Sequence, residues 1–361
     1  MGAHGRGLPF LVCLLALFAM AGVARADFQE RVTLRADRLE LDNLIGKVSV
    51  VGHSGADFEV EVRAQGRDAT RDNLTVETRE GSRAGVAIRF PREDRFVYPR
   101  LGARSKTRFD LDGDRGGFSG FLSSLFGSGD QITVAGGGRG VELWADVTVR
   151  VPARASVVIR HGVGEIEAND VEGNVLLELR SGAVTAASLR GDLTVDIGSG
   201  KANVSDVDGV LNVDTGSGTV NVSRVRSASV LVDTGSGGIY LNDVDAGTLT
   251  LDTGSGSVDG DGLAADEAIV DTGSGSVRLG FVRIGGGRFE IDTGSGSIGL
   301  SLPANASARI SADTSSGGVR VDFPGADIVR MEREEAEVVI GGGDADITLD
   351  TGSGSIQITH N

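Results

Sequence analysis

Hydrophobic and polar positions alternate along most of this chain. Leu211 and Val213 alternate with Asn212 and Asp214, Gly216-Ser217-Gly218 follows, and then Val220 and Val222 alternate with Thr219 and Asn221. Alternation at period 2 predicts a strand with one buried face. A Gly-Ser-Gly run between two such strands predicts a tight turn, because glycine takes positive φ without steric cost. Each unit therefore reads strand, turn, strand and second corner.

The unit recurs. Asp-Thr-Gly-Ser-Gly begins at Asp214, Asp233, Asp252, Asp271, Asp292 and Asp350, with looser copies at Asp196 and Asp313. Upstream, Glu178 and Arg160 hold the aspartate position, and Val184 and Ile166 match Val220. Two short strands in a unit of about 18–21 residues mark a solenoid and are too few for a propeller blade. One unit buries too little to fold alone, so each must stack on its neighbour. The expected fold is an all-β, single-stranded parallel β-helix (β-solenoid), right-handed by the crossover rule, with a short helical insertion.

Residues 27–90 alternate irregularly, as in Phe58 to Val62 and Gly85 to Phe90, and are expected to form early coils or an N-terminal cap. Residues 91–131 break the pattern. Phe118, Phe121, Leu122, Leu125 and Phe126 fall on one face of a short amphipathic helix, expected to pack on the solenoid wall or end. Regular solenoid is expected over 132–361, with an irregular charged stretch near Arg330 to Glu337 and no separate C-terminal cap.

Residues 1–26 read as a secretory signal peptide: an apolar run from Leu8 to Val23 precedes Ala24-Arg25-Ala26, an A-x-A cleavage site before Asp27. Cys13, the chain's one cysteine, lies inside that run, so the exported chain is expected to hold no disulfide or thiolate metal site. Export predicts a periplasmic, surface or extracellular location. The net charge of −16 excludes nucleic acid and anionic lipid as expected partners, and no later stretch is apolar enough to span a membrane.

Val147-Thr-Val-Arg-Val-Pro152, Gly164-Glu-Ile166, Val171-Glu-Gly173, Ser181-Gly-Ala-Val184, Leu189-Arg-Gly191 and Gly198-Ser-Gly200 together resemble a bacterial family of exported β-strand-repeat proteins labelled "putative adhesin". The resemblance runs from about Phe28 to the end, outside the 91–131 insertion. It implies the solenoid fold and an adhesin-like or envelope-associated role, and it transfers no catalytic residue.

Asp-Thr-Gly is also the aspartic-protease motif, but that chemistry needs two aspartates sharing one proton across two lobes, whereas stacked copies form a column. The aspartates Asp196, Asp214, Asp233, Asp252, Asp271, Asp292, Asp313 and Asp350 are expected to act as a structural turn ladder. In that reading Asp214 accepts from the Gly216 and Ser217 amides. No cofactor is expected; calcium between stacked carboxylates is the alternative. Asp110-Leu-Asp112-Gly-Asp114 opens like an EF-hand loop, but Gly113 stands too early and Phe121 holds the last ligand position. His53, His161 and His360 lack metal spacing, and each is expected at the surface.

The function expected is that of a non-enzymatic scaffold binding a cell-surface or envelope protein or glycan, with end-to-end self-association open to it. A polysaccharide-acting lyase or hydrolase on a β-helix is the alternative; it would show a cleft lined by aromatic and acidic side chains.

Overall fold

The computed structural model describes residues 28–110 and 131–361. The predicted signal peptide, the helix at Phe118–Phe126 and the acidic turn after Asp110 lie outside the described residues.

The chain is a parallel β-solenoid. Strands β1 (Phe28–Leu34), β2 (Arg38–His53), β3 (Phe58–Gln65), β4 (Thr75–Arg79) and β5 (Arg83–Arg89) open it. The next four are β6 (Arg95–Val97), β7 (Lys106–Asp110), β8 (Gln131–Ala135) and β9 (Trp144–Pro152). The coils proper use β10 (Ser156–Asn169), β11 (Val175–Arg190), β12 (Leu193–Asp208), β13 (Leu211–Thr215), β14 (Val220–Thr234), β15 (Ile239–Thr253) and β16 (Val258–Thr272). Shorter strands follow: β17 (Val277–Ile284), β18 (Arg288–Thr293), β19 (Ile298–Leu302), β20 (Ala308–Thr314) and β21 (Val319–Asp322). The last are β22 (Asp327–Met331), β23 (Glu335–Ile340), β24 (Ala345–Thr351) and β25 (Ile356–His360).

Each coil pairs in parallel with the next, in steps of 18 residues (Val175 to Leu193), 19 (Val220 to Ile239) and 21 (Val277 to Ile298). Arg160 pairs with Glu178, and Ile166 with Val184, in the frame read from the sequence. Inward positions such as Leu211, Val213, Val220, Val222 and Val225 are buried, giving one continuous aliphatic core along the stack. Alternation at period 2 sends the intervening polar residues outward.

The turn glycines are fixed by stacking more than by turn geometry. A Cβ on Gly218 would lie 1.6 Å from the Gly200 carbonyl oxygen, and one on Gly237 would lie 1.7 Å from that of Gly218. The Gly218 amide donates to the Ser236 carbonyl of the next coil at 2.9 Å, so the turns are themselves rungs. The second corner is left-handed at Asp170, Ser188, Asp206, Arg224 and Asp243, with φ of 55°, 58°, 56°, 51° and 54°. Gly262 takes the same corner, with φ of 68°.

At the N-terminal end β2 serves as the first coil, parallel to β10. One half of it then pairs with β5 and the other with β9. Antiparallel β4, and β3 with β1, close that end. Strands β6, β7 and β8 form a separate small sheet. Phe96 of β6 is buried edge-to-face on Phe90, and Tyr98 lies 5.7 Å from the Trp144 ring.

The C-terminal end departs from sequence order. Phe289 of β18 pairs with Ile347 of β24, and Ile347 pairs with Ile310 of β20. The last repeat is therefore inserted between the coils of Asp292 and Asp313, which the spacing of 21 had suggested were neighbours. Nor is the end bare: β23 pairs antiparallel with β20, and β22 with β23, so a hairpin covers the edge. Its charged sequence, Arg330 to Glu337, carries no solenoid period that would have shown it.

Candidate interaction surface

The eight pentapeptide aspartates stand in one outer column. With its upstream members the order is Asp42, Arg160, Glu178, Asp196, Asp214, Asp233, Asp252, Asp271, Asp292, Asp350, Asp313. Parallel rungs sit about 4.8 Å apart, so these are neighbours along a line and not a facing pair. At the upstream end Arg160 lies 3.1 Å from Asp42, 3.5 Å from Glu178 and 3.6 Å from Glu40. Burial pushes the Asp214 carboxyl above its usual range, and Asp196 adds repulsion; Asp233 is raised by burial and then by Asp214 and Asp252. Asp292 is raised by burial and by Asp350 and Asp271. Among the described residues no three of His, Cys, Asp or Glu group so as to hold a metal ion.

The Gly216 amide, an expected partner of Asp214, donates to the Ile197 carbonyl at 2.9 Å, and the Gly235 amide to Thr215 at 3.1 Å. Beside these amide bonds, the threonine of the motif adds a side-chain bond between turns in part of the stack. Thr215, Thr234, Thr253, Thr272, Thr293 and Thr351 are fully buried in an inner column. Thr272 Oγ1 donates to the Gly256 carbonyl at 2.9 Å and Thr293 Oγ1 to Gly275 at 2.8 Å, both on the adjoining coil. Thr215 and Thr234 hydroxyls have no such partner.

The same inner column holds His161 and Asn43 upstream. His161 is fully buried, contrary to the surface position expected for it. It follows Arg160 by one residue, so the period that faces Arg160 outward faces the imidazole inward. Its Nδ1 lies 3.1 Å from the Asn43 carbonyl and its Nε2 2.9 Å from that of Gly46. Burial pushes its pKa below the usual value, while the two carbonyls pull the other way.

Two outer surfaces are broad enough to meet a partner. The left-handed corners form a groove of ≈ 890 Å³ whose rims carry Asp206, Arg224 and Asp243 on one side and Arg190, Asp208 and Arg226 on the other. Arg224 grips Asp206 through Nε and Nη2 at 2.7 and 2.8 Å. The repeat of Asp170, Ser188, Asp206, Arg224 and Asp243 was visible in the sequence, but nothing there marks a left-handed corner on Ser or Arg. The second surface is the flat sheet after the Gly-Ser-Gly turn. Its outer rows include Thr185, Asn203, Asn221 and Tyr240, and Ala187, Ser205, Ser223 and Asn242.

A parallel solenoid whose outer faces are ladders of polar residues defines a class of repeat protein. Residues 145–359 match the Toastrack DUF4097 family, and the chain belongs to it. The chain is also similar to a crystal structure described as a "putative cell adhesion protein" from Clostridium sporogenes ATCC 15579, at 11% identity and a TM-score of 0.23, covering 93% of this chain and 100% of that one. Another described as a "putative adhesin", from Bacteroides fragilis NCTC 9343, is 12% identical with a TM-score of 0.27, covering 93% of this chain and 97% of that one. No curated protein matches the chain.

Proposed function

We propose that this protein is a non-enzymatic binding scaffold that works outside the cytoplasm, adhesin-like or attached to the envelope. The observation that carries the reading is the run of in-register coils from β10 to β16, which repeats outward-facing positions at about 4.8 Å intervals. Such a surface suits recognition of an extended partner by many weak, repeated contacts. The signal-peptide pattern and the acidic composition support export.

Fractionation of cells with an antibody to the chain tests it, paired with an assay for new reducing ends on polysaccharides. The expected result is a processed chain in the envelope or medium, and no sugar cleavage. A chain retained in the cytosol with its leader intact, or turnover of a glycan, would overturn the reading.

A further inference from the structure

The intact pentapeptide is followed by Thr219, Ser257, Ser276, Ser297 and Ser355 in five copies and by Gly238 in the coil that carries Tyr240; the looser copy at Asp313 is followed by Gly318, with Arg320 in the tyrosine's place. Gly238 and Tyr240 are one device. A Cβ on Gly238 would lie 2.7 Å from Tyr240 Cε2, 2.8 Å from its hydroxyl and 2.9 Å from Cζ. The tyrosine ring is therefore laid down along the strand, over the bare Cα, in space that a serine would fill. It remains 47% exposed, and it is the sole aromatic among the exposed large hydrophobic residues of the described chain.

Upstream of this platform the sheet is polar and nearly uncharged. In its own row stand Thr185, Asn203 and Asn221, where Asn221 Nδ2 donates to Asn203 Oδ1 at 2.9 Å. The next row brings Ser205, Ser223 and Asn242. Lys201 is the one charge inside the patch, Glu167 bounds the row upstream, and the rung just beyond Tyr240 and Asn242 carries Asp259, paired with Arg278 at 2.7 Å, and Asp261.

We infer that Tyr240 and the Asn221–Asn203 ladder form a binding site for a neutral polysaccharide. A flat aromatic face takes the apolar C–H face of a sugar ring, and side-chain amides and hydroxyls both donate to and accept from its hydroxyl groups. A neutral chain meets no charge repulsion here, whereas a polyanion meets Asp259, Asp261 and the field of an acidic protein. Parallel rungs repeat the amide along the direction in which the sugar chain runs. This deepens the scaffold reading and rests on it.

Affinity electrophoresis of the full chain through laminarin, glucomannan and xyloglucan tests the site, with polygalacturonate and a proline-rich peptide in solution as the other arms. Tyr240→Asn places the preceding coil's residue on this rung, so it keeps the fold. We expect at least one neutral polysaccharide to retard the native chain, Tyr240→Asn and Gly238→Ser to weaken that binding about tenfold or more, and Tyr240→Trp to preserve it. The inference is overturned if no neutral polysaccharide retards the chain or if Tyr240→Asn leaves retardation unchanged. It is also overturned if the Tyr240-dependent ligand proves to be the peptide or polygalacturonate. Unchanged retardation in Tyr240→Asn sinks this site and leaves the scaffold intact; a cytosolic location sinks the scaffold whatever the gels show.

Discussion

At the scale of single residues the buried threonines separate packing from hydrogen bonding. Thr234 and Thr272 hold the same inner position, but only Thr272 has an acceptor, the Gly256 carbonyl at 2.9 Å. A buried hydroxyl without a partner costs stability, while a paired one contributes about 1 kcal/mol. Valine has nearly the same shape. Thr272→Val is expected to lose about 1 kcal/mol in urea unfolding, and Thr234→Val to be neutral or stabilising. Equal losses at both positions would show that the hydroxyls play no separate parts. This distinction was hidden in the sequence, where both threonines read Asp-Thr-Gly; it depends on how each neighbouring carbonyl is turned.

At the scale of the element, the aspartate column is a line of like charges. Cross-strand pairs of like charge are destabilising, and Asp233 shows it: burial and its neighbours Asp214 and Asp252 raise its pKa. A folded-state pKa raised above the unfolded value means the ionised form is penalised in the fold. Stability from this group is full below the unfolded pKa and is lost as pH rises through the folded one. Asp233→Asn is therefore expected to raise stability at pH 7, by about 0.2–1 kcal/mol, with the gain shrinking at acid pH and in high salt. His161, whose pKa is lowered, acts in the opposite sense and loses stability as pH falls. The difference between variant and native melting curves cancels it. If calcium bridged the column, Asp233→Asn would destabilise and a chelator would lower the native melting temperature. The strands of this element were legible because Leu211, Val213, Val220 and Val222 alternate and recur. The partner of each turn amide was not legible, because Asp side chain and neighbouring carbonyl compete for it and only stacking distance decides.

At the scale of the molecule, the solenoid followed from repetition, since no unit buries enough apolar surface to stand alone. Both ends escaped the pattern. The N-terminal cap is antiparallel and irregular, and the hairpin of β22 and β23 has no repeat to announce it. Near-identical pentapeptides also hide the order of stacking: Asp292, Asp313 and Asp350 occupy equivalent rungs, and any of them could have adjoined another. Insertion of the final coil ties the C-terminus into the sheet on both edges, which leaves the outer rung, β20, to the hairpin.

Paired cysteines in the aspartate column measure that order directly. Adjacent parallel rungs stand about 4.8 Å apart, within the usual Cα separation of a disulfide of about 4.4–6.8 Å, and next-nearest rungs lie beyond it. With Cys13 replaced by serine, D292C/D350C and D313C/D350C are expected to cross-link under mild oxidation, and D292C/D313C to stay reduced. Ready cross-linking of positions 292 and 313, with position 350 joining neither, would contradict the stacking described.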